Sequence, residues 1–254
     1  MSVKENILKK LSDIEKAENI KILHAIESGS RAWGFASPDS DYDVRFIYVR
    51  PRNDYLHLEK TRDVIEWELN DTYDVNGWDI TKTLRLLHNS NPNAFEWLNS
   101  PIVYRSDDIM KEIITELYGY FSCSSGICHY INMARANCYY LKAGDFRLKK
   151  YFYVIRPILA CKWILEKNTP PPVVFQELID SVAESYIKEA IAELIRIKSE
   201  TPETGNGEHI PVLDSYIEST IPEIRKYADT LPIDKTANWS ALNGIFLKIL
   251  DRFS

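Results

Sequence analysis

Between residues 3 and 18 the apolar positions Ile7, Leu8, Leu11 and Ile14 recur at helical spacing, with lysines and acids opposite. That pattern predicts a first amphipathic helix. The run from Ile20 to Ile26 is apolar apart from Lys21 and His24, and reads as a strand ending in the turn Glu27-Ser28-Gly29-Ser30. A short helical segment is expected over 31–35, then a loop punctuated by Pro38. Tyr42 to Val49 is β-branched and aromatic, a second strand. Residues 63–69 alternate with period two, Asn70-Asp71-Thr72 turns the chain, and Tyr73 to Trp78 returns as a further strand. Helical period resumes from Thr81 to His88, with Asp79 placed to cap it.

Beyond residue 105 the pattern is helical throughout. Helices are expected at 107–120, 125–143, 146–167, 173–198, 209–229 and 236–253, with breaks at Pro170-Pro171-Pro172 and over 201–207. The chain is therefore read as α+β. Residues 1–105 form a domain of strands with flanking helices, and residues 106–254 form an all-α domain.

The 254 residues are 45% hydrophobic and 27% charged, values of an ordinary globular chain, and 9 Gly and 12 Pro exclude collagen-like and low-complexity classes. No window is apolar enough for a transmembrane helix, and the N-terminus lacks the apolar core of a signal peptide, so a cytoplasmic protein without a membrane partner is expected. A net charge of -6 argues against a general DNA-coating protein. It leaves room for an enzyme that holds a nucleotide through metal ions and one local basic patch. Cys123, Cys128, Cys138 and Cys161 lack zinc-site spacing and read as thiols on helices.

The densest chemistry lies in Gly29-Ser30-Arg31-Ala32-Trp33-Gly34, followed by Asp39-Ser40-Asp41-Tyr42-Asp43. A strand that ends at a glycine turn and enters a helix offers free backbone N–H groups to a phosphate, and Ser30 adds a hydroxyl. Asp41 and Asp43, two apart at the start of a strand, project to one face. Two crowded carboxylates repel unless a cation lies between them. Paired hard oxygen ligands select Mg²⁺ or Mn²⁺. A phosphate-gripping turn beside such a pair suits metal-assisted nucleotidyl transfer.

These residues resemble the signature of the polymerase-beta-type nucleotidyltransferase superfamily. Glu27 to Gly34, Gly77-Trp78-Asp79, Ser90-Asn91-Pro92, Glu96 to Pro101, Lys149-Lys150-Tyr151-Phe152-Tyr153 and Arg156-Pro157 further resemble the bacterial and phage nucleotidyltransferases linked to RNA repair. The resemblance covers most of residues 20–175 and thins after 200. It implies a polymerase-beta-like mixed sheet, a third carboxylate on a neighbouring strand, and transfer of a nucleoside monophosphate from an NTP to a hydroxyl, with an RNA end as the preferred acceptor. In that mechanism Asp41, Asp43 and the third acid hold two divalent ions, while Gly29, Ser30 and Arg31 hold the β- and γ-phosphates. Asp74, at a strand start before Val75, and Asp79 both compete for the third place. Asp74 is preferred, because N-capping is sufficient to explain Asp79, and five residues of strand put the two on opposite faces.

The segment between Ile131 and Asn168 carries eight basic residues against Asp145 and Glu166, interleaved with Tyr139, Tyr140, Tyr151 and Tyr153. Basic and aromatic side chains together suit a phosphate backbone with stacked bases. Lys149, Lys150 and Arg156 are the candidates for nucleotide or acceptor contact, Lys149 and Arg156 being seven apart on one helix face. Trp33 is a candidate wall of the nucleotide pocket, and Trp67, Trp78 and Trp97 read as core. Arg45, sharing the face of Asp43, reads equally as neutraliser of the acids, phosphate contact or structural ion pair. Two rivals stay open at this stage. One is nucleotidylation of a small molecule or a protein side chain. The other is a non-catalytic nucleotide- or RNA-binding module, against which the intact Asp41 and Asp43 stand.

Overall fold

A computed structural model describes residues 2–37, 39–142, 148–200, 209–232, 234 and 238–253. Pro38, Asp145, Arg147, the start of the helix expected at 146, the break expected over 201–207 and the start of the helix expected at 236 lie outside the described residues.

The chain clusters into two compact units that its path visits alternately. The first comprises Met1–Ala32, Asp41–Tyr120 and Thr236–Ser254, and the second Trp33–Ser40 and Phe121–Lys235. A single division at 105 does not describe this arrangement.

In the first unit, α1 (Val3–Glu18) begins with a capping box between Ser2 and Glu5 and ends at Asn19 in the left-handed region. The strands are β1 (Lys21–Glu27), β2 (Tyr42–Val49), β3 (Val64–Leu69), β4 (Tyr73–Asp79) and β5 (Val103–Ser106). They form one mixed sheet in the order β3-β4-β2-β1-β5, with β2 and β4 parallel and the other neighbours antiparallel. The alternation seen in the sequence sets the two faces. Val44, Phe46, Tyr48 and Val75 pack with Ile7, Leu11 and Ile14 of α1, while Asp43, Arg45 and Asp74 take the opposite face. Helices α2 (Gly29–Trp33), α3 (Ile80–His88), α4 (Pro92–Asn99) and α5 (Asp108–Tyr118) complete the run to residue 118. The last helix of the chain (Trp239–Arg252) packs on α3 with Trp239 stacked on His88 at 3.6 Å.

The second unit is helical: α6 (Cys123–Lys142), α7 (Leu148–Lys167), α8 (Phe175–Val182), α9 (Ser185–Glu200) and α10 (Pro211–Ala228), with the terminal helix of the first unit numbered α11. Buried apolar positions of α7, from Tyr151 to Ile164, form the centre of its core. Phe35 belongs to that core, stacked on Phe152 at 4.2 Å. The mixed sheet with flanking helices and the helical C-terminal region establish the α+β class.

Three local expectations change. Residues 173–198 make two helices, because Ala183 is extended and Glu184 turns to an ion pair with Lys162. Helix α4 and strand β5 were not anticipated. Both are too short for periodicity to declare them, and β5 forms as an edge partner of β1. Trp67 is exposed on edge strand β3, whereas Trp78 and Trp97 stack at 3.6 Å. The four cysteines are free thiols on α6 and α7.

Candidate active site

Strand β1 is buried from Ile22 through Glu27, so its last side chain is a carboxylate within the fold. Glu27 Oε1 accepts from the backbone N–H of Asp43 at 2.9 Å, and its Oε2 accepts from the Tyr104 hydroxyl. Burial pushes the Glu27 carboxyl up to about 7, against the two hydrogen bonds, which favour its ionised form. The next residue, Ser28, donates its N–H to the Asp43 carbonyl at 2.8 Å. The main chain of Asp43 is thus fixed on both sides from the end of β1.

Gly29 follows with φ +60°, the left-handed region where a side chain is strained. A Cβ here would lie 1.9 Å from Asp43 Oδ2. The glycine therefore both turns the chain into α2 and leaves the space that the carboxylate occupies. Ser30 is half-buried in the first turn of that helix. Arg31 donates Nε–H to the Asp41 carbonyl at 2.8 Å and covers the Tyr42 ring at 3.9 Å. Arg31 braces the backbone entering β2.

Asp41 stands immediately ahead of β2, and Asp43 is the second residue within it. Across the parallel ladder Asp43 pairs with Asp74, and Tyr42 with Tyr73. Between the two carboxylates lies the Arg45 guanidinium. Its Nη2 is 2.8 Å from Asp43 Oδ1 and 2.6 Å from Asp74 Oδ2. Of the readings open for Arg45, the structure gives an ion pair with both acids. Asp74 thereby lies beside Asp43 on the neighbouring strand.

Asp79 does not share that place. Its register partner is Tyr48, at the far end of the ladder, on the opposite face of β4. Its Oδ1 accepts from the N–H and hydroxyl of Thr81 at 2.8 and 2.6 Å, and its Oδ2 from the Tyr55 hydroxyl at 2.8 Å. Both oxygens serve the N-terminus of α3 and a neighbouring loop, which corrects the expectation of a metal ligand there.

Among the described residues, no three His, Cys, Asp or Glu side chains are gathered as a metal-binding group. Asp43 and Asp74 nevertheless converge on one cationic atom, Arg45 Nη2, which marks the spot a cation favours. The donor set, carboxylate oxygens only, fits Mg²⁺ or Mn²⁺.

In the second unit Lys149 and Lys150 are half-buried near the start of α7. Arg156 does not share a solvent face with them. It is 3% exposed, with its guanidinium over the Trp33 ring at 4.5 Å. Tyr151 is buried and bonded through its hydroxyl to Asp214 at 2.8 Å, which removes it from base stacking. Trp33 packs against Phe35, Tyr153 and Arg156. Glu27 and Tyr104 were missed as site residues. The signal was a carboxylate closing an otherwise apolar strand directly before the glycine turn.

With this geometry in view, a family profile described as the RNA repair pathway DNA polymerase beta family matches residues 3–248. The chain is 42% identical over 255 residues to a Bacillus subtilis (strain 168) protein named "Uncharacterized protein YcgL", covering 98% of this chain and 97% of that one. Among solved structures, a nucleotidyltransferase-like protein from Exiguobacterium sibiricum 255-15 aligns over 90% of this chain and 75% of its own, with a TM-score of 0.32 and 12% identity.

Proposed function

The chain belongs to the RNA repair pathway DNA polymerase beta family, which is polymerase-beta-like, and from that membership we propose that it transfers a nucleoside monophosphate from an NTP to a hydroxyl of an RNA end. The observation that carries the reading is the in-register pairing of Asp43 and Asp74 beside Gly29, whose missing side chain makes room for one of those carboxylates.

Asp41, Asp43 and Asp74 would hold Mg²⁺ or Mn²⁺, which when bound supplies charge neutralisation at the triphosphate and a lower pKa for the attacking hydroxyl. The chain's own residues do the rest. Gly29 and Ser30 present a backbone turn and a hydroxyl to the phosphates, and Arg31 keeps the Asp41 backbone in place. Glu27 fixes the Asp43 main chain. Lys149 and Lys150 give the helical unit positive charge of the kind that suits a phosphate backbone. No helix among the described residues is long and apolar enough to cross a membrane.

The test is incubation with each labelled NTP, Mg²⁺ or Mn²⁺, and an RNA pool. Label transferred to RNA, and lost with Asp43→Asn, is the expected result. Label on the protein itself or on a small molecule would move the acceptor. No transfer with any NTP under either metal would overturn the reading.

A further inference from the structure

Arg45 lies where two carboxylates meet, and its guanidinium is divided between two tasks. Nη1 donates to the main-chain carbonyls of Asp74 at 2.7 Å and Val44 at 3.2 Å. Nη2 donates to Asp43 Oδ1 at 2.8 Å and Asp74 Oδ2 at 2.6 Å. The side chain is only 14% exposed. We propose that Arg45 is an internal counter-ion gate: it holds the acid pair together without metal, and a divalent cation binds by taking over the carboxylate contacts of Nη2. The inference rests on the transfer reading above and concerns the regulation of that same site.

Two carboxylates facing each other on adjacent strands repel, and without a cation they would splay. Arg45 supplies that cation from within the sheet. The gate opens through competition, because the cation and Nη2 seek the same carboxylate oxygens. The backbone contacts of Nη1 allow the release to be partial, because Nη2 can yield its carboxylates while the side chain stays moored. Binding that needs a less populated state is weakened by the fraction of that state. The gate therefore raises the metal concentration at which the site fills, and keeps the acids ordered until then.

The proposal makes a prediction of opposite signs. Arg45→Met should bind Mn²⁺ about tenfold more tightly, since the closed state no longer competes. The same variant should melt at a lower temperature in chelator, since the acid pair loses its counter-ion. An arginine that only braced the sheet would weaken both properties together. Mn²⁺ titration followed by electron paramagnetic resonance reads the affinity, and thermal unfolding in EDTA reads the metal-free stability.

Arg45→Lys carries the test if Arg45→Met fails to fold. One ammonium cannot keep the two-armed contact with carboxylates and main chain, so its Mn²⁺ affinity should also exceed wild type. Unchanged or weaker Mn²⁺ binding in the folded variants overturns the gate. The underlying reading has its own control. If Asp43→Asn leaves Mn²⁺ binding at wild-type strength, the cation sits elsewhere, and the metal site fails together with the gate.

Discussion

Asp43 and Asp74 are direct partners across the parallel β2–β4 ladder, each ion-paired to Arg45. Asp43→Asn or Asp74→Asn should therefore lower nucleotidyl transfer by at least about a hundredfold, the loss expected when metal-held charge stabilisation is removed. The fold should persist, since Arg45 keeps one carboxylate and its backbone acceptors. Circular dichroism alongside a labelled-NTP assay checks both. Wild-type turnover in either variant would remove these acids from the mechanism.

Asp79→Ala separates a structural acid from a metal-binding one. It strips the cap from α3 and leaves the Tyr55 hydroxyl without its acceptor. A loss of about 1–2 kcal/mol is expected in urea unfolding. Mn²⁺ affinity should stay at the wild-type value.

Gly29→Ala introduces a methyl at the position of the Asp43 carboxylate and a side chain at φ +60°. About 1–3 kcal/mol of destabilisation is expected from the backbone strain alone. Because the clash falls on Asp43, transfer should fall further than the lost stability explains. Activity measured well below the variant's melting temperature distinguishes the two contributions.

Glu27 and His24 on the same strand impose opposing pH dependences. The Glu27 carboxyl is pushed up to about 7 by burial, so its folded form retains a proton that the unfolded chain loses near 4.5. Its contribution to stability is full below pH 4.5 and is lost as pH rises toward 7, a change of about 3 kcal/mol. Burial holds His24 down to about 4, so its contribution is present above 6.5 and is lost as pH falls toward 4. Glu27→Gln should unmask the His24 slope, giving stability that climbs from pH 4 to 6.5 and then stays level. Chemical denaturation in EDTA across that range is the measurement, and a variant as pH-independent as wild type would show that Glu27 is not the opposing group.

The basic residues of α7 should divide by burial. Lys149→Glu and Lys150→Glu should weaken single-stranded RNA binding and flatten its log–log salt slope by roughly 0.7 per lost phosphate contact. Arg156→Ala should instead destabilise the fold by about 1–3 kcal/mol, through loss of its packing on Trp33. Filter binding at several salt concentrations and a thermal melt read the two effects. RNA affinity and slope unchanged in the lysine variants would make them a solvated face.

The sequence exposes whatever depends on a local period or a local motif. Alternation in Tyr42 to Val49 gives β2 its bounds, and the capping role of Asp79 follows from its place before Thr81. The glycine turn and the two acids after it are contiguous enough to be seen together. What stays hidden depends on pairing across distance. Nothing near Asp74 announces that β4 lies parallel to β2, in the register that sets it opposite Asp43. Arg156 has the helix position of a surface residue, and only the fold shows Trp33 covering it. Strand β5 exists because β1 has a free edge to offer, and with it comes the hydroxyl of Tyr104 for Glu27.

The interleaved path of the chain has a bearing on how the protein is made. Phe35 belongs to the helical core, so that core draws on a residue synthesised long before its helices. The sheet unit in turn receives α11, whose Phe246 meets Tyr55 at 5.2 Å and whose Lys248 pairs with Glu112. The sheet unit lacks α11 until residues 239–252 have been made, after every part of the helical unit. The unit whose strands are made first is therefore the last to be completed, the reverse of folding in order of synthesis. A gene cut at any single point yields two fragments that each lack part of their own interior, so the protein is a poor subject for dissection and a good one for split-fragment complementation.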